Sequence, residues 1–81
     1  MSVESVFEDI VKICEFYADP CEVFEVDLEN HIVFMGAREI SPVMENGGLV
    51  THLVEESDGV THWVDDLDSY FQSVLDWEGR F

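Results

Sequence analysis

The chain predicts an α+β domain in which a four-stranded antiparallel sheet, built from two hairpins, is flanked by an N-terminal and a C-terminal helix in the order αββββα. Three observations carry this expectation. Apolar residues recur at helical spacing near each end, residues 22–29 alternate with a period of two, and turn signals split the middle into hairpins.

The first element spans residues 3–17. Val3, Val6, Phe7, Ile10, Ile13, Cys14 and Tyr17 fall on one helical face, while Glu4, Glu8, Lys12 and Glu15 take the other. Ser2 or Ser5 can cap it, with Ser5 and Glu8 at capping-box spacing, and Asp19-Pro20 should end it because proline drives the preceding residue out of helical geometry. Next comes Glu22 to Glu29, with Phe24, Val26 and Leu28 on one side and Val23, Glu25, Asp27 and Glu29 on the other. A turn at 29–31 leads to a second strand ending near Glu39. A three-residue loop sets Val26 opposite Phe34, Phe24 opposite Gly36 and Glu22 opposite Arg38. That register gathers Phe24, Val26, Leu28, Ile32 and Phe34 on one apolar face and leaves Val33 and Met35 beside Glu25 and Asp27 on the other.

Residues 40–48 contain Pro42 and Asn46-Gly47-Gly48 and read as a connection. The second hairpin carries the echo Thr51-His52-Leu53-Val54 and Thr61-His62-Trp63-Val64 around Ser57-Asp58-Gly59. A three-residue loop there pairs His52 with Val64, Leu53 with Trp63 and Val54 with His62. The last helix runs from Asp66 to about Glu78, with Leu67, Tyr70, Phe71, Val74 and Leu75 as its stripe, Asp65 or Asp66 as cap and Gly79 as stop.

With 81 residues the chain is a single small acidic domain, 1–81, and it is 47% apolar with 6 Phe and 2 Trp, too hydrophobic for a disordered acidic tail. Charge is the outlier. Nineteen acids against Lys12, Arg38 and Arg80 give a net charge of -16, split evenly between the two halves, so the whole fold carries it. Solubility needs a magnitude of only about 2 to 8, and self-repulsion beyond that works against compaction. Direct nucleic-acid binding and binding to anionic membranes both fail on sign. No segment reaches the roughly 20 apolar residues of a membrane span, and Met-Ser-Val-Glu lacks the basic and apolar regions of a signal peptide, so a cytoplasmic location is expected. Cys14 and Cys21 are too few for a disulfide framework or a zinc quartet and are expected to be semi-buried thiols.

No catalytic constellation emerges, and the expectation is a non-enzyme with no cofactor and no metal. Gly47-Gly48 lacks the lysine and helix of a phosphate loop. His52 and His62 share a face, but a hydrogen-bonded strand histidine is the expected role for each. Trp63, Trp77, Tyr70 and Phe81 are core or interface residues first, since no cations accompany them to hold phosphates. The acids remain. On one strand, carboxylates two residues apart stand about 6.6 Å apart, of the order of the phosphate spacing in a nucleic acid.

The expected function is therefore that of an acidic inhibitor, a DNA mimic that occupies the cationic nucleic-acid-binding surface of a partner protein. In its most concrete form it is a phage anti-defence protein, an anti-CRISPR or anti-restriction protein. The expected contact residues are Glu25, Asp27 and Glu29, extended by Glu55, Glu56 and Asp58 at the second hairpin tip and Asp65, Asp66 and Asp68 at the helix start, with exposed Val33 and Met35 adding apolar contact. The rival readings are an immunity protein or antitoxin for a basic nuclease toxin, a small structural or adaptor subunit that forms a homodimer through an apolar sheet face, adaptation to high salt, and, last, an acidic metal-binding enzyme.

Overall fold

The structure, a computed structural model, describes residues 2–77, the side chains of 75–77 excepted. The order is α1 (Val3–Tyr17), β1 (Phe24–Asp27), β2 (Ile32–Met35), β3 (Arg38–Glu45), β4 (Gly48–Glu56), β5 (Thr61–Val64) and α2 (Leu67–Trp77). The α+β architecture with terminal helices is as expected, but the sheet has five strands, all antiparallel and in chain order.

Helix α1 occupies the residues its periodicity marked. The Ser2 hydroxyl accepts from the Ser5 amide at 3.2 Å, so Ser2 is the cap and the Ser5–Glu8 spacing lies inside the helix. Ala18 is already extended, at φ -67° and ψ 136°, ahead of Asp19-Pro20. Val6, Phe7, Ile10 and Cys14 are buried. At the other end, Asp66 caps α2: its carboxylate accepts from the Asp68 amide at 3.0 Å and from the Ser69 hydroxyl at 3.1 Å. Leu67 and Phe71 reach the same core, and the Tyr17 and Phe71 rings stack at 5.2 Å. The expected stop at Gly79, the extension to Glu78 and the side chain of Leu75 lie outside the described residues.

The missing strand is β3: the expected second strand, which was to end near Glu39, breaks at the Gly36-Ala37 turn, and Arg38 and Glu39 begin β3. It runs straight through Pro42, in the stretch 40–48 expected to be a connection. A proline is tolerated there because β2 pairs no further along β3 than Ile40, so at Pro42 the β2 side of β3 is an open edge that demands no amide. Two tight turns bracket the strand. Gly36 alone has positive φ in the Gly36-Ala37 turn, as the first central residue of a type II′ turn requires. Asn46 and Gly47 are both positive, at 53° and 77°, as in a type I′ turn. Register shifts between Val43 and Met44, and the extra residue on β4 is Val50.

Replacing Gly36 should cost measurably. Its φ is +60°, and an added Cβ would meet a Glu22 carboxylate oxygen at 2.5 Å. Its amide also donates to the Val23 carbonyl at 2.8 Å, anchoring the start of β1. Gly36→Ala is expected to lower unfolding free energy by about 1–2 kcal/mol, chiefly from the left-handed backbone, and a urea melt measures it directly.

The first hairpin departs from its expected register by one residue. Phe24 faces Met35, Glu25 faces Phe34, Val26 faces Val33 and Asp27 faces Ile32, across a four-residue turn, 28–31, that His31 closes in left-handed geometry at φ 56°. The cause is Asp27, whose carboxylate accepts from the Glu29 and Asn30 amides at 3.0 Å and from the Asn30 side chain at 2.9 Å, ending the strand early. A one-residue slip exchanges the faces of a strand. Val33 is 0% and Met35 4% exposed, both inside the core with Ile40, Val54 and the helix residues, so the expected apolar seam at Val33 and Met35 is overturned. Ile32 and Phe34 take the opposite face.

Both helices pack on one side of the sheet. Their shared core joins Val6, Phe7, Ile10, Cys14, Leu67 and Phe71 to Val33, Met35, Ile40 and Val54. Burial pushes the Cys14 thiol up to about 12, which keeps it protonated and inert, whereas Cys21 is exposed rather than semi-buried. No helix among the described residues is long and apolar enough to cross a membrane.

Candidate functional site

With both helices on one side, the other face of the sheet has no cover among the described residues. Strand alternation and the cross-strand partners define what it presents. One row across the sheet reads Glu25, Phe34, Glu39, Glu55 and Thr61 from β1 to β5. Beside it lie Asp27 with Ile32, Ser41 with Leu53, and Leu53 with Trp63. Glu25, Glu39 and Glu55 are exposed, Phe34 and Leu53 are half-buried, and Trp63 leaves 65% of its surface open. A shallow groove at the β1 end is lined by Glu25, Asp27, Glu29 and Phe34.

The electrostatics of the two faces differ in kind. On the helix side, Arg38 faces Glu56 across β3 and β4, with Arg38 Nη2 and Glu56 Oε1 4.0 Å apart. The expected partner of Arg38 was Glu22, but that carboxylate instead accepts from the Asp19 amide at 2.9 Å. His62 Nε2 and Glu56 Oε2 approach to 2.5 Å, and Arg38 Nε donates to the Tyr70 hydroxyl at 3.3 Å, tying α2 to the sheet. One residue along, on the open face, Glu39 stands directly opposite Glu55, and no Lys, Arg or His among the described residues shares that face. Like charges directly opposed across a ladder destabilise it.

The acids singled out from sequence therefore separate by what already occupies them. Glu25 and Glu55 are on the open face and bond to no described group. Glu29 is exposed in the β1–β2 turn, outside the strand, so the expected three-carboxylate ladder shortens to Glu25 and Asp27. Asp27 holds its own turn. Asp58 accepts from the Val60 amide at 3.0 Å in the β4–β5 turn, Asp65 accepts from the Thr51 hydroxyl at 3.3 Å, and Asp66 caps α2. Asp68 accepts from the Tyr17 hydroxyl, which pushes that phenol up in pKa and pins α1 to α2. Glu56 is on the helix side with His62, away from Glu55.

One residue of this face is not among the expected contacts: Glu39, whose significance depends on β3 pairing with β4. Of the two expected places for Trp63, core or interface, its 65% exposure excludes the core. The signal for Glu39 was present in Asn46-Gly47, a type I′ hairpin sequence that pairs 38–45 with 48–56.

His52 is buried, with Nδ1 2.9 Å from the Val64 carbonyl oxygen, the hydrogen-bonded strand histidine that was expected. Among the described residues, no group of three or more His, Cys, Asp or Glu side chains could hold a metal ion.

Asp27 offers a direct check on this geometry. Its carboxyl is held below the usual carboxylate range, first by the Asn30 side-chain amide and then by backbone amides of the turn. A folded-state pKa below the unfolded value makes the turn's contribution fully present above roughly pH 4, and that contribution is lost as pH falls through the folded value. Carboxylate NMR titration should find Asp27 among the low-titrating acids, and Asn30→Ala should move it upward; no movement would mean the turn forms some other way.

Compared with protein-family models, with curated proteins and with solved structures, the chain matches none.

Proposed function

We propose that this protein is a non-enzymatic inhibitor that imitates nucleic acid and occupies the cationic nucleic-acid-binding surface of another protein. The observation that carries the reading is the Glu39–Glu55 opposition on a helix-free face that holds no described cation. A fold that already carries a net charge of -16 gains nothing in solubility from a further like-charge contact, and that contact costs stability. A basic partner surface supplies the missing counter-charge. The same acids weigh against an adaptor that self-associates through this face, since two copies would bring like charges together.

The concrete form we favour is a phage protein directed against a restriction or CRISPR effector. Long-range attraction between the acidic chain and a basic groove gives fast association that slows as salt rises. The test is a pull-down from bacterial lysate with the immobilised chain, at low and at high salt. It should retain a basic nucleic-acid-binding protein that added nucleic acid displaces and that salt releases. Retention indifferent to both would remove the mimicry reading.

A further inference from the structure

The open face presents more than carboxylates, and its aromatic residues narrow the kind of nucleic acid that it imitates. A duplex shows a partner its phosphates and groove edges, while its base faces are stacked inside. A single strand shows phosphates and flat base faces together, and proteins that bind it combine a positive groove with aromatic platforms on which bases stack. A duplex mimic therefore needs carboxylates alone. A single-strand mimic needs carboxylates interleaved with exposed flat rings.

The face leans to the second kind, with one exposed ring, Trp63, and one half-buried ring, Phe34, set among its carboxylates. Phe34 has Glu25 as its neighbour on β1 and Glu39 as its neighbour on β3. Trp63 pairs with Leu53, and Glu55 lies two residues further along β4, which makes Trp63 and Glu55 diagonal neighbours about 7–8 Å apart. Trp63 is on β5 at the edge of the sheet and is 65% exposed, and its bicyclic ring has the size and shape of a purine. An open tryptophan on an edge strand is a hazard for aggregation unless a partner covers it. A second copy is the wrong occupant, because the face that would meet it carries Glu25, Asp27, Glu39 and Glu55 with no described cation among them.

Building on the mimicry reading above, we infer that the face formed by Glu25, Phe34, Glu39, Glu55 and Trp63 docks into a single-strand-binding surface, with the carboxylates in the phosphate positions and Trp63 stacked in a base position. The partner has Lys or Arg residues alternating with an aromatic platform.

Two protein fractions from a bacterial lysate test this, one retained on an oligothymidylate column and the other on a column of duplex DNA after depletion of single-strand binders. Each is passed over the immobilised chain, over Trp63→Ala and over Trp63→Phe. The expected result is capture from the oligothymidylate fraction, displaced by free oligothymidylate, weakened about ten-fold or more by Trp63→Ala and largely restored by Trp63→Phe. Trp63 is mostly exposed, so both variants should keep the parent's circular dichroism spectrum and melt, which separates lost stacking from lost folding. Capture from the duplex fraction alone, or capture unchanged by Trp63→Ala, would overturn the single-strand inference and leave the mimicry reading standing. Capture from neither fraction would overturn both.

Discussion

Glu39→Lys should make the protein more stable and less able to bind. In the parent, Glu39 and Glu55 face each other across β3 and β4 on the open side of the sheet. Reversing one charge turns a repelling cross-strand pair into an attracting one, worth about 0.5–1 kcal/mol, or a few degrees of melting temperature in a domain this small. The same change puts a cation where the proposed partner presents cations, which should weaken binding by about a hundred-fold, mostly through slower association at low salt. Thermal melts and binding kinetics on the captured partner measure the two effects independently. A variant that gains stability and still binds normally would show that this face is not the interface. One that loses both would make Glu39 a structural residue.

Ile40→Ala should come close to unfolding the domain. Ile40 is fully buried on the central strand, pairing with Val33 on one side and Val54 on the other, with both helices packed over that core. Truncating a buried isoleucine removes about 2–5 kcal/mol, and a chain of this length has roughly 4–12 kcal/mol in all. Leu28→Ala is the control: Leu28 is 75% exposed, and its loss should shift a urea midpoint little. If the two variants melted alike, the core would not be centred on β3.

What could be read from sequence depended on how locally each element is specified. Helix α1 was legible to the residue because its stripe, its serine cap and Asp19-Pro20 all lie in the local chain. The β4–β5 register was legible because Ser57-Asp58-Gly59 fixes the loop, and the pairing of Leu53 with Trp63 follows from it. The first hairpin failed by one residue because Asp27 spends its carboxylate on its own turn, a competition between side chain and ladder that alternation does not reveal. That single slip moved Val33 and Met35 from the expected interface into the core and brought Phe34 out among the acids. Strand β3 was lost to Pro42, a residue that breaks a strand only when a neighbour needs its amide. Of the candidate contact residues, Glu25 and Glu55 keep an open position on the sheet face. The capping and turn-holding aspartates do local work that sequence spacing had already made available to them.

The plain order of the sheet, each strand beside its predecessor, has a consequence for how the protein comes into being. Every strand pairing is closed by a turn of only a few residues, so the whole sheet can assemble hairpin by hairpin with little loop entropy to overcome. The hairpin of β3 and β4, with its Asn46-Gly47 turn, is the longest and the natural place to begin. The distant steps are the docking of α1 onto strands made after it and of α2 onto α1 and the sheet. A chain wired this way should fold soon after synthesis, which would suit the proposed inhibitor, since it would have to reach a basic groove before nucleic acid does.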